Sequence, residues 1–225
     1  MLDMPMDWPL LAPLDEPQRA AVLAASRSRS FGKGEVVFHE GDPADSMHLV
    51  ETGVLAVQVT TPDGERATLN VLSAGAAVGE LSLLRRGRAD VRSATVVALS
   101  PSTTRSLSSA AFQRLCDEHP GIQDFLLDLL ADRVRRLSGQ LLESMYVGLD
   151  RRLYRRLLEL CDTYRGDTEP TVIPLTQEHL ADLVGGTRPS INQVLQRLLA
   201  QGIIELGRGR VIIRDEAALR AKAGQ

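Results

Sequence analysis

Hydrophobic and polar positions change their period twice along the chain. Residues 14–25 fit a short helix, with Asp15 as its cap and Pro17 in its first turn. From Phe31 the pattern alternates in short bursts, over residues 31–38, 48–57, 67–72 and 94–99. Gly41, Gly53, Gly75 and Gly79 mark corners between them, and Asp63-Gly64 is a hairpin signal. Many short strands between glycine corners predict an antiparallel β-roll rather than a parallel sheet with crossover helices. After Ser108 the period becomes helical. Beyond Pro120-Gly121, the residues Leu127, Leu130, Val134, Leu137 and Leu141 keep three-then-four spacing, and the stretch continues to Ser144 and Gly148. Such a seam predicts a long dimerisation helix, against the alternative of a core helix in a monomer. A second row, Ile122, Phe125, Leu126, Leu129 and Leu142, is expected to pack on the roll.

The C-terminal part repeats a helical period around two caps. It is helical from Arg151, and a linker opening at Arg165-Gly166-Asp167 then runs to Pro174. Thr176 caps a helix with Leu180, Leu183 and Val184 inward, and Thr187 opens a second with Ile191, Val194, Leu195 and Leu198 inward. A strand pair around Gly207-Arg208-Gly209-Arg210 then reads as a wing with a basic tip. Helix, turn, helix and basic hairpin in this order predict a winged helix-turn-helix that places its second helix in a DNA major groove. Its outward residues are Arg188, Ser190, Asn192, Gln193 and Arg197. Arginine and glutamine suit base edges, whereas threonine and serine near a helix start, here Thr176, Thr187 and Ser190, suit phosphates, and Arg208 and Arg210 make the basic wing tip beside the duplex. The expected class is therefore α+β, with an N-terminal antiparallel β-roll over residues 1–119, a dimerisation helix and hinge over 120–149, and a winged helix-turn-helix over 150–225.

Charge sharpens this division. Residues 1–150 hold 14 Lys and Arg against 20 Asp and Glu, whereas residues 151–225 hold 12 against 9. A polyanion partner is thus expected for the C-terminal part only. No apolar run approaches the roughly 20 residues of a membrane span, and no secretory pattern opens the chain, so a cytoplasmic protein without membrane contact is expected. Cys116 and Cys161 read as packing residues, and His39, His48, His119 and His179 lack metal-ligand spacing. With no nucleophile and base pair, metal cluster or phosphate-binding loop visible, an enzyme is not expected.

The most specific chemistry lies between Val78 and Ala98. Glu80 follows a glycine and can accept from a hydroxyl pair, while Arg92-Ser93 offers a guanidinium fork and a hydroxyl to a phosphate. The alternative is that Glu80 and Arg92 form a surface ion pair, which is common and weak.

Gly32-Lys33-Gly34-Glu35-Val36-Val37-Phe38 with Glu40-Gly41-Asp42, Gly79-Glu80-Leu81-Ser82-Leu83-Leu84 with Arg92-Ser93-Ala94, and Thr187-Arg188-Pro189-Ser190 carry a resemblance that spans nearly the whole chain. The chain resembles the bacterial transcription factors typified by the cyclic-AMP receptor protein and the fumarate–nitrate regulator. That resemblance implies a cyclic-nucleotide-binding roll, a homodimer, double-stranded DNA as partner, and contact with RNA polymerase. Cyclic AMP is the first-choice effector, and no cofactor is obligatory. By position, Glu80 would bind the ribose 2′-hydroxyl, Arg92 and Ser93 the cyclic phosphate, and Gly79, Leu81 and Ser82 the surrounding atoms. Arg188 would meet a base. Where the cyclic-AMP receptor contacts adenine through adjacent Thr and Ser, this chain has Gly139 and Gln140, with Ser138 beside them. The loop between Glu80 and Arg92 is about two residues longer than that receptor's pattern. Pro189 and Gln193 replace its Glu and Arg, which implies a different operator. The alternative is a constitutive regulator whose roll is vestigial or takes another ligand.

Overall fold

Gly53 closes a corner that no other residue fits. At φ +82°, a Cβ there would lie 2.2 Å from the Ser102 hydroxyl and 2.4 Å from the Pro101 carbonyl. Gly41, Gly75 and Gly79, the other corners marked in the sequence, also take positive φ.

The computed structural model describes residues 8–84, 91–165 and 170–224. The first seven residues, most of the loop between Glu80 and Arg92, and Gly166-Asp167 of the expected linker lie outside the described residues. The chain divides into two compact units, Met1–Arg135 and Arg136–Gln225. The first contains α1 (Glu16–Ala25), β1 (Arg27–Phe31), β2 (Val36–Phe38), β3 (Ser46–Thr52), β4 (Val54–Thr60), β5 (Arg66–Ser73), β6 (Ala77–Val78), β7 (Thr95–Ala98), β8 (Ser102–Ser108), α2 (Ser109–Glu118) and the first part of α3 (Gly121–Tyr146). Asp15 caps α1 reciprocally with Gln18. The strands form two antiparallel sheets, ordered β1-β8-β3-β6 and β2-β7-β4-β5. This is the expected α+β class with its β-roll. The first strand starts at Arg27, ahead of the alternation visible in sequence, because Arg-Ser-Arg-Ser pairs with β8 without presenting an apolar side chain.

Side chains of β3 alternate between two cores. Met47 and Leu49 join Leu11, Leu107, Phe112 and Phe125 beneath the helices, whereas Val50 joins Leu55, Leu72 and Val96 between the sheets. A strand buried on both faces fixes its register strongly, since a slip of one residue would exchange the two sets. On α3, Ile122, Phe125 and Leu126 are buried, with Leu129 and Leu130 packed against the same core. Leu142, expected in that row, is instead 58% exposed. Thirteen residues beyond Leu129, at about 100° per residue, it has rotated well off that face.

The second unit adds α4 (Leu149–Tyr164), β9 (Thr171–Ile173), α5 (Gln177–Val184), α6 (Arg188–Ala200), β10 (Ile204–Gly207), β11 (Arg210–Ile213) and α7 (Glu216–Ala223). Leu153, Leu157, Leu180, Ile191, Leu195, Leu198 and Leu219 are fully buried there. The stretch expected to be a linker up to Pro174 contains β9, which pairs antiparallel with β11 and buries Thr171 and Ile173. Three residues carry too short an alternation to announce a strand. The helix α7, capped by Asp215, follows the wing and was not expected either.

Candidate functional site

Gly79 ends β6 in the left-handed region at φ +81°, which turns the chain into the short 3-10 helix Glu80–Leu83. Ser82 secures that turn: its Oγ donates to the Gly79 carbonyl at 2.7 Å and its N–H to the same oxygen at 3.1 Å. The turn buries Glu80 and Ser82 and leaves Leu81 exposed. Glu80 pairs at 3.9 Å with Arg133 of α3.

Arg92 returns on the far side of the loop. Its N–H donates to the Asp42 carbonyl at 2.8 Å, and its own carbonyl accepts from Gly41 N–H at 2.9 Å. The side chain is 5% exposed. Its guanidinium donates to the Ser46 carbonyl at 2.5 Å and the Ser46 hydroxyl at 3.0 Å, approaches Asp45 at 3.4 Å, and lies 4.1 Å from the centre of the Phe38 ring. Burial pulls its pKa below the ordinary arginine value, opposed by Asp45 and Asp42. Its Nε has no hydrogen-bond partner among the described residues. A Cβ at position 79 would meet Arg92 Nη1 at 2.6 Å, so glycine is also what lets the guanidinium lie against this turn.

Glu80 and Arg92 are thus both buried around one backbone turn, where two buried charges of opposite sign flank a glycine elbow. Ser93 is exposed beside Arg92. Ser138 and Gln140 belong to the second unit's portion of α3, the former exposed and the latter half-buried. The partners Arg133, Phe38, Asp45 and Ser46 were not singled out as site residues by sequence reasoning. No spacing signal connects them to the turn, because the contacts arise only when strands and helix pack.

The second site follows from two caps. Thr176 accepts from His179 N–H at 3.2 Å at the start of α5, and Gly185 at φ +62° ends it. Thr187 caps α6, which buries Ile191, Val194, Leu195 and Leu198. Arg188, Gln193 and Arg197 are exposed on the other side, with Ser190 and Asn192 half-exposed. Thr176, Arg188 and Arg210 border one hollow of about 310 Å³ between the start of α5 and the wing. Arg208 occupies the exposed wing tip. Two outward residues are engaged internally: Asn192 Oδ1 accepts from Gln177 at 3.2 Å, and Arg197 forms an ion pair with Asp150 of α4. Arg197 also bonds Tyr154, whose pKa is raised by burial first and Asp150 second, against the lowering pull of Arg197.

On α3, Leu127, Val134, Leu137 and Leu141 are each more than half exposed, whereas Leu130 turns toward the first unit's core. Among the described residues, no group of three or more His, Cys, Asp or Glu could hold a metal ion, and no helix is long and apolar enough to cross a membrane.

Comparison with known proteins assigns both halves. Residues 28–119 match the cyclic nucleotide-binding domain and residues 151–222 the Crp-like helix-turn-helix domain. The chain is 30% identical over 218 residues to the HTH-type transcriptional regulator Cmr of Mycobacterium tuberculosis, covering 94% of this chain and 82% of that protein. It is 28% identical over 212 residues to that organism's CRP-like cAMP-activated global transcriptional regulator, covering 92% and 93%. A crystal structure of a CRP-family transcriptional regulator from Thermus thermophilus superposes with a TM-score of 0.73 at 26% identity, over 88% of this chain and 97% of that one. Nucleotide-binding-type roll, glycine elbow and winged helices therefore occur here in one order and at matching length, and the chain belongs to the CRP/FNR family of bacterial transcriptional regulators, which are not enzymes.

Proposed function

We propose that the chain is a cytoplasmic, homodimeric regulator gated by a cyclic nucleotide, cyclic AMP first, and that it binds a pseudo-palindromic operator and engages RNA polymerase. The observation that carries this reading is the burial of Glu80 and Arg92 on either side of the Gly79 elbow. Glu80 accepts the ribose 2′-hydroxyl, and Arg92 with Ser93 holds the cyclic phosphate. Gly79, Leu81 and Ser82 shape the wall. Binding exchanges the Glu80–Arg133 pair for the sugar, and so transmits occupancy to α3. The cAMP-activated relative named above supports the choice of nucleotide.

Calorimetry with cyclic AMP and cyclic GMP tests the effector. One nucleotide per chain is expected, weakened about 10- to 100-fold in Arg92→Ala by loss of charge-assisted hydrogen bonds to the phosphate. Absence of heat with both nucleotides on the wild type sinks the reading. A constitutive regulator is the second reading, favoured because Arg92 is already engaged by Ser46, Asp45 and Phe38. A gel shift of equal strength with and without nucleotide decides for it.

On DNA, Arg188 and Gln193 read bases, while Thr176, Thr187, Ser190, Arg208 and Arg210 hold phosphates. Arg197 and Asn192 face the same side, and their internal partners make a direct contact conditional on release. Arg210→Ala is expected to weaken binding across sequences and lower the salt slope by about one unit, whereas Arg188→Ala costs about 1–3 kcal/mol at one base position. Equal losses for both on specific and random DNA count against base reading by Arg188.

A further inference from the structure

Strand β1 places Arg27, Arg29 and Phe31 on one face, and the pairing extends that face across the sheet. Arg27 lies opposite Ser106, and Ser106 opposite His48. This face borders a cavity of about 640 Å³ within the first unit. Its apolar side is made by Phe31 and Phe38, whose ring centroids lie 6.4 and 5.9 Å from that of His48. Arg27, Arg29 and Arg114 line it as exposed residues, and none of their three side chains forms a hydrogen bond or ion pair with another described residue. Arg92 lines it as well, buried, and its Nε lacks a partner among the described residues.

Among the described residues, four guanidinium groups around one cavity exceed the two carboxylates there. Asp45 is paired with Arg92, and Asp42 accepts from His39 N–H. A buried donor without an acceptor is costly, and the missing partner is an acceptor. We propose that this cavity is a second ligand site, distinct from the Glu80 side of the elbow, for a small polyanion carrying two or more carboxylate or phosphate groups. The rim arginines take the outer charges, the buried Arg92 guanidinium supplies the innermost positive charge, and the aromatic side excludes water. The volume lies in the range of small-molecule sites, about 300–1,000 Å³. Because Arg92 is shared, an anion here competes with a cyclic phosphate for one guanidinium, so the two ligands weaken each other. That linkage rests on the effector reading above, whereas the anion site itself does not.

The test is calorimetry of the full chain with citrate and, separately, inorganic pyrophosphate, in the absence of nucleotide. Three proteins are compared: the wild type, Arg27→Ala/Arg29→Ala, and Arg66→Ala on the distant β5 edge. One anion per wild-type chain is expected, with affinity lowered about tenfold or more in the double variant by loss of charged hydrogen bonds, and unchanged in Arg66→Ala. The stronger of the two anions tells a carboxylate ligand from a phosphate ligand. The His48 ring resonances should shift on addition of the bound anion, and circular dichroism checks that the double variant is folded. Silence with both anions overturns the proposal, and so does heat that the double variant leaves intact or that Arg66→Ala reduces equally. A cyclic-nucleotide titration on the same proteins reports on the effector reading independently.

Discussion

Leu137→Glu/Leu141→Glu is expected to sediment as a monomer at concentrations where the proposed homodimer predicts a dimeric wild type. Both side chains are exposed, 54% and 61%, as are Val134, Leu142, Met145 and Tyr146 on the same helix. So many large apolar groups on consecutive turns form a patch that a soluble protein covers with a partner. The covering surface most consistent with the three-then-four spacing is the same helix of a second copy, packed as a coiled coil. A dimer buries four of these leucines. At about 1.5 kcal/mol each, their loss costs about 6 kcal/mol, or roughly 10⁴ in association, before any penalty for placing glutamates in the seam. On the proposed pseudo-palindromic operator, specific DNA affinity should fall by roughly 10³ or more, because a monomer can hold only one half-site. Far-ultraviolet circular dichroism should stay near that of the wild type, since neither leucine belongs to a core of its own chain. A variant that remains dimeric would place the dimer surface elsewhere.

What sequence reveals here divides along the line between local and distant causes. The Asp15, Thr176 and Thr187 caps, the Asp63-Gly64 hairpin and the glycine corners are legible because each is decided by two to four neighbouring residues. The strands β1 and β8 escape the same reading. Their polar sequences gain stability from pairing with each other and with β3, which alternation of apolar residues cannot announce. The site behaves likewise. Glu80 and Arg92 stand out by type and by the glycine beside them, but their partners do not. Arg92 finds Ser46 across 46 positions, and Arg197 finds Asp150 across 47. The helical period correctly turns Arg197 outward, yet it cannot show that an acidic residue at the start of α4 meets it there. A surface pair of Glu80 with Arg92, weighed from sequence as an alternative, is replaced by two buried groups with separate partners, Arg133 and Ser46 at the start of β3.

Acidification should destabilise the first unit through His48 by about 3 kcal/mol between pH 6.5 and pH 4. The ring is 6% exposed, with its Nδ1 3.0 Å from the Thr104 hydroxyl and the Phe31 and Phe38 rings beside it. Burial pushes its pKa down to about 4, helped by the charges of Arg92 and Arg29 and opposed by Asp45. The unfolded chain takes up its proton near pH 6.5, while the folded one resists until about pH 4. Stability from His48 is therefore complete above pH 6.5, falls by about 1.4 kcal/mol per pH unit below it, and is exhausted below pH 4. For a chain of this size about 3 kcal/mol corresponds to roughly 6–12 °C in Tm. Carboxylates add their own acid sensitivity, so the informative quantity is the difference from His48→Asn, which keeps a polar atom near Thr104 and removes the proton site. The wild type should lose stability relative to the variant across this window, and the His48 ring should stay neutral by NMR down to about pH 4. A constant difference from pH 7 to pH 4, or protonation near pH 6.5 in the folded protein, would mean that the ring is solvated and that the Phe31–Phe38 floor opens in solution.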